Sequence, residues 1–331
     1  MAENVMSGEG LRPEYVGKLA EKGHEIDQRL NSVLEKAREI RDEIQKLPDT
    51  QENDTEYGLG AAWVCCAEYA RNLEVIVQCQ ESDREYSDGG YDTDDLFAAR
   101  MQWNNMMAKT LAMVDVEGEG VREQMRDMYK TFLPLIGDPR YSGIDKHKPQ
   151  LFVSDWAGMC GESCMWRVMQ SMLDEGRAEP TLDEAGLDMI GHKRSIQSGS
   201  GRTIPLPVNL GVQVKVNSMV SEDRVCLIPV DSGVARRDED QLLQDLLGPN
   251  KGGREYATKM RKAHDLASRG LPDGQGEIAL IVLSSAGGWE RLFFETSSVK
   301  GQSIIRKMIE ENLYQDLRRV NEVNKLRKQA A

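Results

Sequence analysis

The chain of 331 residues exceeds the length at which a single hydrophobic core usually stops growing, so its length predicts two packed units. Its 40% hydrophobic and 29% charged residues are typical of a soluble globular protein and exclude a disordered or membrane-spanning chain. The net charge of −13 argues against nucleic acid as a partner, because phosphate binding needs clustered Lys and Arg. The start of the sequence does not resemble a secretory signal and no apolar run is long enough to cross a membrane, so no membrane partner is predicted and the protein is expected to be cytoplasmic.

The first predicted helix carries apolar residues at alternating spacings of three and four from Val16 to Leu47. Pro13 suits its first turn, and Pro48 forbids its continuation. A heptad seam of this length predicts a long coiled-coil-like helix that packs either on another helix of the chain or on a second chain. The seam residues singled out as an interaction surface are Ile26, Leu30, Val33, Ile40 and Ile44.

Three further helices follow, and polar loops separate them. One carries GLGAAWVCCAEYARNLEVIVQC, the next begins near Asp94 and includes Trp103, and another contains Val121 and Phe132 at helical spacing. Together with the first helix they predict an antiparallel bundle over residues 1–148. The numerous methionines of the last two helices suit either an adaptable binding face or core packing.

From residue 149 onward the pattern changes to a mixed one. After a helix that contains WRVMQSML, strands are predicted at VNLGVQVKV, RVCLIPV, GEIALIV and WERLFFET, with a Gly287-Gly288 hairpin turn between the last two. Helices are predicted at DEDQLLQDLL, at REYATKMRKAHDLASRG and from about Ser303 to the end. Residues 149–331 therefore form an α+β unit with a small antiparallel sheet and a terminal helix, and the whole chain belongs to the α+β class.

The stretch WAGMCGESCMW at residues 156–166 holds the cysteines most suggestive of chemistry, Cys160 and Cys164. A CxxxC pair on a helix could provide two ligands of a metal site, but no partner residues stand at a suitable spacing, so no metal is predicted. SGSGRT follows no strand and opens no helix, so it does not predict a phosphate loop, and no cofactor is expected. The thiols are then either small core residues or a nucleophile at the start of a helix.

This cysteine stretch, followed much later by GEIALIV, Gly-Gly and WERLFFE, resembles papain-like cysteine peptidases of the bacterial effector type. The resemblance covers about 40 residues and places the nucleophile at Cys160 or Cys164 and the orienting carboxylate at Glu295. The position of the catalytic base falls on Glu277, which cannot form a thiolate–imidazolium pair. His264 or His192 would have to replace it in space.

The sequence therefore favours a noncatalytic protein-interaction or assembly protein. Its contact surface would consist of the heptad helix and the methionine-rich bundle, and its partner would be another protein or a second copy of itself. The alternative is a papain-like cysteine hydrolase or a catalytically inactive descendant of one.

Overall fold

The computed structural model describes residues 13–47, 54–86, 93–141, 151–172, 175–180, 188–197, 203–217, 220–229 and 277–312. Five long helices come first: α1 (Pro13–Ile44), α2 (Asp54–Tyr86), α3 (Thr93–Ala112), α4 (Val121–Ile136) and α5 (Leu151–Met172). A short 3₁₀ turn, Pro139–Tyr141, lies between α4 and α5. The helices predicted for the first part of the chain are thus present.

The bundle is built around α2, which packs on α1, α3 and α4. Helix α4 shows how the pattern produces the packing, because Val121, Met125, Met128 and Phe132 recur every three or four residues and are all buried. The helix continues past Pro134 and closes at Gly137, whose backbone N–H donates to the Leu133 carbonyl at 3.0 Å. Helix α3 packs on α5, which connects the bundle to the rest of the protein.

The heptad seam of α1 faces its own chain. Val33 and Ala37 are buried against the bundle, and Leu30 and Ile40 pack partly against the same core. The contact with α2 is close at Gly60, where an added Cβ would lie 2.7 Å from Cδ1 of Ile44. The seam therefore packs within the chain, which is one of the two arrangements that its spacing predicts.

Within the described residues, five strands form one sheet in the order β1-β2-β3-β5-β4. The strands are β1 (Glu175–Pro180), β2 (Met189–Gln197), β3 (Thr203–Asn217), β4 (Arg224–Pro229) and β5 (Glu277–Ser284). The prediction of an antiparallel sheet is wrong for one pair, because β3 and β5 run parallel. Strand β5 lies between β3 and β4, and its four residues from Ile281 to Ser284 are all buried. A continuous apolar run is typical of such a central strand.

Strands β1 and β2 fall in a stretch for which the sequence predicts no strand. The segments EGRAEP and MIGHKRSIQ lack a regular alternation of apolar and polar residues, so only the sheet itself fixes them as strands. They pair antiparallel with each other, and β2 pairs antiparallel with β3.

The predicted strand WERLFFET is a helix instead. Residues Gly288–Glu290 form one α-turn that continues as π-helical turns over Arg291–Thr296, and together they make up α6. Gly287 and Gly288 have φ angles of 85° and 73°, which turn the chain away from the sheet rather than into a hairpin. Leu292, Phe293 and Phe294 are buried in succession, a pattern that does not distinguish a strand from a buried helix.

A last helix, α7, covers residues 299–312, with Ile305 and Ile309 buried. One buried core extends from Val33 in α1 to Ile309 in α7, and α5 contacts both α3 and β3. The division at residues 148 and 149 stays a prediction. The predicted helices at DEDQLLQDLL and REYATKMRKAHDLASRG, and the SGSGRT segment, lie outside the described residues. Among the described helices, none has the length and apolar character needed to cross a bilayer.

Candidate functional site

The two thiols of WAGMCGESCMW lie in the middle of α5 rather than at its start. Both Cys160 and Cys164 are completely buried, and burial raises the pKa of Cys164 to about 11 and that of Cys160 still further. The Cys164 Sγ donates to the carbonyl oxygen of Thr296 at 3.3 Å. Neutral thiols without access to solvent are poor nucleophiles, so these cysteines act as small core residues.

One of the two glycines beside the thiols, Gly161, has a packing role. At Gly161 an added Cβ would lie 2.8 Å from Cγ2 of Val216 and 3.2 Å from Cδ1 of Leu283, so this glycine lets α5 approach strands β3 and β5 closely. At Gly158 an added Cβ would meet no atom within 4 Å. In the stretch that suggests a reactive site in the sequence, Gly161 thus serves the helix–sheet contact and Gly158 does not.

The remaining residues of the papain-like hypothesis occupy separate elements. Glu277 begins β5, where it pairs with Leu210 of β3, and His192 lies in β2. Glu295 is exposed on α6, so the strand that should carry the orienting carboxylate does not exist. His264 lies outside the described residues. The prediction of the hairpin on which the resemblance depends is wrong, because its second strand is a helix. Within the described part of the chain, no three His, Cys, Asp or Glu residues cluster as metal ligands would.

A different feature of the bundle offers a binding geometry. An open cavity of about 380 Å³ lies between α1 and α3, above one face of α2, and is called the interhelical groove below. Its volume is within the range of ligand sites in proteins. Its lining residues come from all three helices: Arg41 and Ile44 of α1; Tyr57, Ala61, Val64, Cys65, Glu68, Tyr69 and Asn72 of α2; and Ala99, Gln102, Trp103, Met106 and Thr110 of α3.

The floor of the interhelical groove is a stripe of α2 residues at helical spacing. From Tyr57 to Asn72 the lining positions recur every three or four residues, which corresponds to a length of about 22 Å. Tyr69 stacks on Trp103 of α3 with ring centroids 4.4 Å apart, so the floor and one wall are rigidly joined. Burial raises the pKa of Cys65 in this floor to about 12, so its thiol stays neutral.

The wall that α3 provides runs antiparallel to this floor. A Cβ added at Gly58 of α2 would lie 3.0 Å from Cγ2 of Val114 and 3.2 Å from the Thr110 carbonyl oxygen. The end of α3 therefore contacts the start of α2. Going back along α3, Thr110, Met106, Trp103 and Ala99 follow at spacings of three or four. Both surfaces of the groove therefore carry the periodicity of a helix.

The groove has an apolar end and a polar end. Near the start of α2 its surface is formed by Tyr57, Ala61, Val64 and Met106, and the side chains of Tyr57 and Met106 are 44% and 58% exposed. Toward the other end lie Glu68, Asn72 and Gln102. The Arg41 guanidinium of α1 donates to Glu68 across the groove edge at 2.7 Å. Exposed large apolar side chains gathered at one cavity are typical of a contact surface.

Most of the seam residues predicted as an interaction surface do not line the interhelical groove. Leu30, Val33 and Ile40 pack inward, and Ile44 lines both the interhelical groove and a second cavity of about 550 Å³ on the α4 side of α1. The side chain of Ile26 lies outside the described residues. The groove was missed in the sequence because its residues come from three helices, and the one signal for it was the methionine-rich α3, whose Met106 is exposed whereas Met107 is buried.

Comparison with models of protein families, with curated proteins and with solved structures found no match to this chain.

Proposed function

We propose that the protein is a noncatalytic interaction protein whose interhelical groove binds an amphipathic α-helix of a protein partner. The observation that carries this proposal is the shared helical spacing of the two antiparallel lining stripes, on α2 and on α3. An apolar helix laid between them would place side chains at every third or fourth position against both stripes. It would complete a four-helix packing arrangement that α1, α2 and α3 leave open.

The residue sizes in the groove fit this occupant. Ala61 and Ala99 line its floor and wall, and small side chains let two helix backbones approach each other. Met106 adds a flexible, polarizable side chain that adapts to different apolar partners. The aromatic ring of Tyr57, which is exposed, provides a contact area of the kind that dominates binding energy at interfaces.

The polar end of the groove defines the orientation and chemistry of the partner. Glu68 is already paired with Arg41 at 2.7 Å and lies 3.7 Å from Arg71, so its carboxylate is already occupied by guanidinium groups of its own chain. Asn72 and Gln102 can each donate and accept hydrogen bonds. The partner helix therefore carries its apolar stripe toward Tyr57 and uncharged polar side chains toward Asn72.

The hydrolase alternative receives no support from the geometry. Its two thiols are buried with raised pKa values, and its orienting carboxylate, Glu295, is exposed on a helix. A cytoplasmic location for the interaction protein stays a prediction from the sequence.

A photo-crosslinker placed in the groove tests the proposal. Gln102 is exposed and lines the groove, so replacing it with benzoylphenylalanine positions the reactive group beside the bound helix. After irradiation in the native cells, mass spectrometry should find an adduct on a partner segment with apolar residues at spacings of three and four. The matched control carries the same crosslinker at Lys130, an exposed residue of α4 that lines neither cavity beside α1.

The groove-filling variant Ala99→Trp provides the second control. It should remove the adduct at position 102 while the far-ultraviolet circular dichroism spectrum stays unchanged. Equal adducts at positions 102 and 130, the absence of any adduct at position 102, or an adduct that survives Ala99→Trp would each contradict the proposal.

A further inference from the structure

The two helices that flank the interhelical groove run in the same direction. Helix α3 is antiparallel to α2, because its end contacts the start of α2. Helix α1 is also antiparallel to α2: Arg41 donates to Glu68 at 2.7 Å, whereas Ile44, further along α1, packs on Gly60 near the start of α2. Both α1 and α3 therefore run from the polar end of the groove toward its Tyr57 end.

The polar end of the groove gathers hydrogen-bond donors from all three helices. Arg41 of α1, Asn72 of α2 and Gln102 of α3 line this end, and their side chains are exposed. Glu68 is the one carboxylate among the described residues that line the groove, and its oxygens already lie 2.7 Å from the Arg41 guanidinium and 3.7 Å from that of Arg71. Two guanidinium groups and one carboxylate leave this end with more donors than free acceptors and with an excess of positive charge.

The two ends of a helix require opposite partners. The first backbone N–H groups of a helix need acceptors, whereas its last four carbonyl oxygens need donors and carry the negative end of the dipole. The chain already meets this need once, because the Arg167 guanidinium donates to the carbonyl oxygens of Leu111 and Ala112 at the end of α3. The donor-rich end of the groove therefore suits the carboxyl end of a bound helix and not its amino end.

We propose that the helix bound in the interhelical groove runs parallel to α2 and ends where the side chains of Arg41, Asn72 and Gln102 donate to its last carbonyl oxygens. The bond from Arg41 to Glu68 uses Nη2, so the guanidinium has further N–H groups for this purpose. In this direction the bound helix is antiparallel to both α1 and α3, as neighbours are in an up-and-down bundle. The inference rests on the function proposed for the groove, and it adds that the partner helix terminates just after its apolar stripe.

Crosslinkers at the two ends of the groove test the direction. Benzoylphenylalanine replaces Tyr57 in one protein and Gln102 in another, and both proteins are irradiated in the native cells. The adduct from position 57 should lie closer to the amino terminus of the partner segment than the adduct from position 102, by roughly ten residues at 1.5 Å of helix per residue. The reverse order, or two adducts on the same residues, would overturn the proposal and leave the helix-binding groove standing. The absence of adducts at both positions would contradict the proposed function itself.

Variants of Arg41 and Glu68 test the end point, with a synthetic peptide of the crosslinked segment as the probe. Arg41→Met should lower the affinity about two- to fivefold, because the carboxyl end of the helix loses a cationic donor. Glu68→Gln should raise the affinity, because it frees the Arg41 guanidinium for the peptide. Arg38→Met, at an exposed α1 position that lines neither cavity, should leave the affinity unchanged. A loss with both Arg41→Met and Glu68→Gln would show that the ion pair only positions α1, and this result would overturn the proposal. An effect of Arg41→Met no larger than that of Arg38→Met would overturn it as well.

Discussion

Two glycines of α5 show how a single residue determines the contact between helix and sheet. Gly161 faces Val216 and Leu283 with no room for a methyl group, whereas Gly158 has no neighbour within 4 Å of an added Cβ. Both glycines stand in the stretch that first suggested a reactive thiol. The structure explains Gly161 by close approach to the sheet, and it gives no packing reason for Gly158.

Replacing these glycines with alanine should change stability in opposite directions. Gly161→Ala forces α5 away from β3 and β5 and should lower the free energy of unfolding by about 1–3 kcal/mol. Gly158→Ala removes a flexible residue from a helix interior and should raise it by about 0.5–1 kcal/mol. Urea denaturation of both variants measures the difference, and equal effects would show that α5 does not lie on the sheet as described.

The thiols should differ sharply in reactivity. Cys79 is exposed on α2, whereas Cys160 and Cys164 are completely buried and have raised pKa values. Because iodoacetamide reacts with the accessible thiolate, brief treatment at pH 7 should label Cys79 and leave both α5 cysteines unmodified until the protein unfolds. Peptide mass spectrometry locates the label. Rapid modification of Cys160 or Cys164 in the folded protein would revive the hydrolase alternative.

At the scale of elements, α5 contacts both the bundle and the sheet, and buried polar contacts fix its position. Arg100 of α3 and Asp155 of α5 form an ion pair at 2.6 Å with side chains only 12% and 16% exposed. Arg167 of α5 donates to the carbonyl oxygens of Leu111 and Ala112 at the end of α3 and to that of Val114 just beyond it. Burial lowers the pKa of Arg167 to about 10, so it remains a cation at neutral pH and suits the negative end of the α3 dipole.

Removing only one partner of the Arg100–Asp155 pair should lower the free energy of unfolding more than removing both partners. Arg100→Met leaves an unpaired buried carboxylate and should lower the free energy of unfolding by about 3–5 kcal/mol. Arg100→Met/Asp155→Leu removes both charges and should recover a large part of that loss. Chemical denaturation of the two single variants and the double variant gives the coupling free energy between Arg100 and Asp155. A double variant no more stable than Arg100→Met would contradict the description of a desolvated pair.

The contact between α4 and α6 should weaken in acid. Hydrogen bonds from Arg126, together with those from Arg122, lower the pKa of Glu290 below its usual value. A carboxyl group with a lowered folded-state pKa adds stability above its unfolded pKa of about 4.3, and this stability is lost as the pH falls through the folded-state pKa. Glu290→Gln should lower the free energy of unfolding by less than about 1 kcal/mol at pH 7, because the ion pair is partly exposed. The stability difference between the two proteins should shrink at pH 3, and an equal difference at both values would count against the ion pair.

Periodicity in the sequence predicted the long helices, because helical spacing repeats over many turns, as it does from Val121 to Phe132. It failed at WERLFFET, where consecutive apolar residues suit a strand and a buried helix equally. It also failed at β2, whose polar residues become a strand only through pairing with β3. The parallel pairing of β3 with β5 depends on where the chain returns to the sheet, which local spacing does not encode.

The candidate site was harder to predict than the elements. Each wall of the interhelical groove is an ordinary helix face, and the cavity exists only because α1 and α3 stand apart on α2. Residues such as Ala61 and Ala99 carry no chemical signature in the sequence. The heptad seam, in contrast, is evident from the spacing of apolar residues in the sequence, but it packs inward on α2.

At the scale of the whole molecule, the protein combines a continuous core with an open helical face. The core joins the bundle, α5, the sheet and α7, whereas the interhelical groove and the second cavity lie at the α1 side of the bundle. This arrangement keeps the groove proposed for partner binding away from the helix–sheet contact. Substitutions in the groove should therefore change binding more than folding.

The most direct test of the helix-binding groove is the affinity of a synthetic peptide with the partner segment identified by crosslinking at position 102. Isothermal titration should show that the peptide binds the unchanged protein. Ala99→Trp should lower the affinity at least about tenfold, which corresponds to about 1.4 kcal/mol or more of binding free energy. Val75→Trp, at an exposed α2 position outside the groove, should leave the affinity unchanged. The peptide should become helical on binding. Equal affinities for all three proteins, or a peptide that binds without becoming helical, would contradict the account.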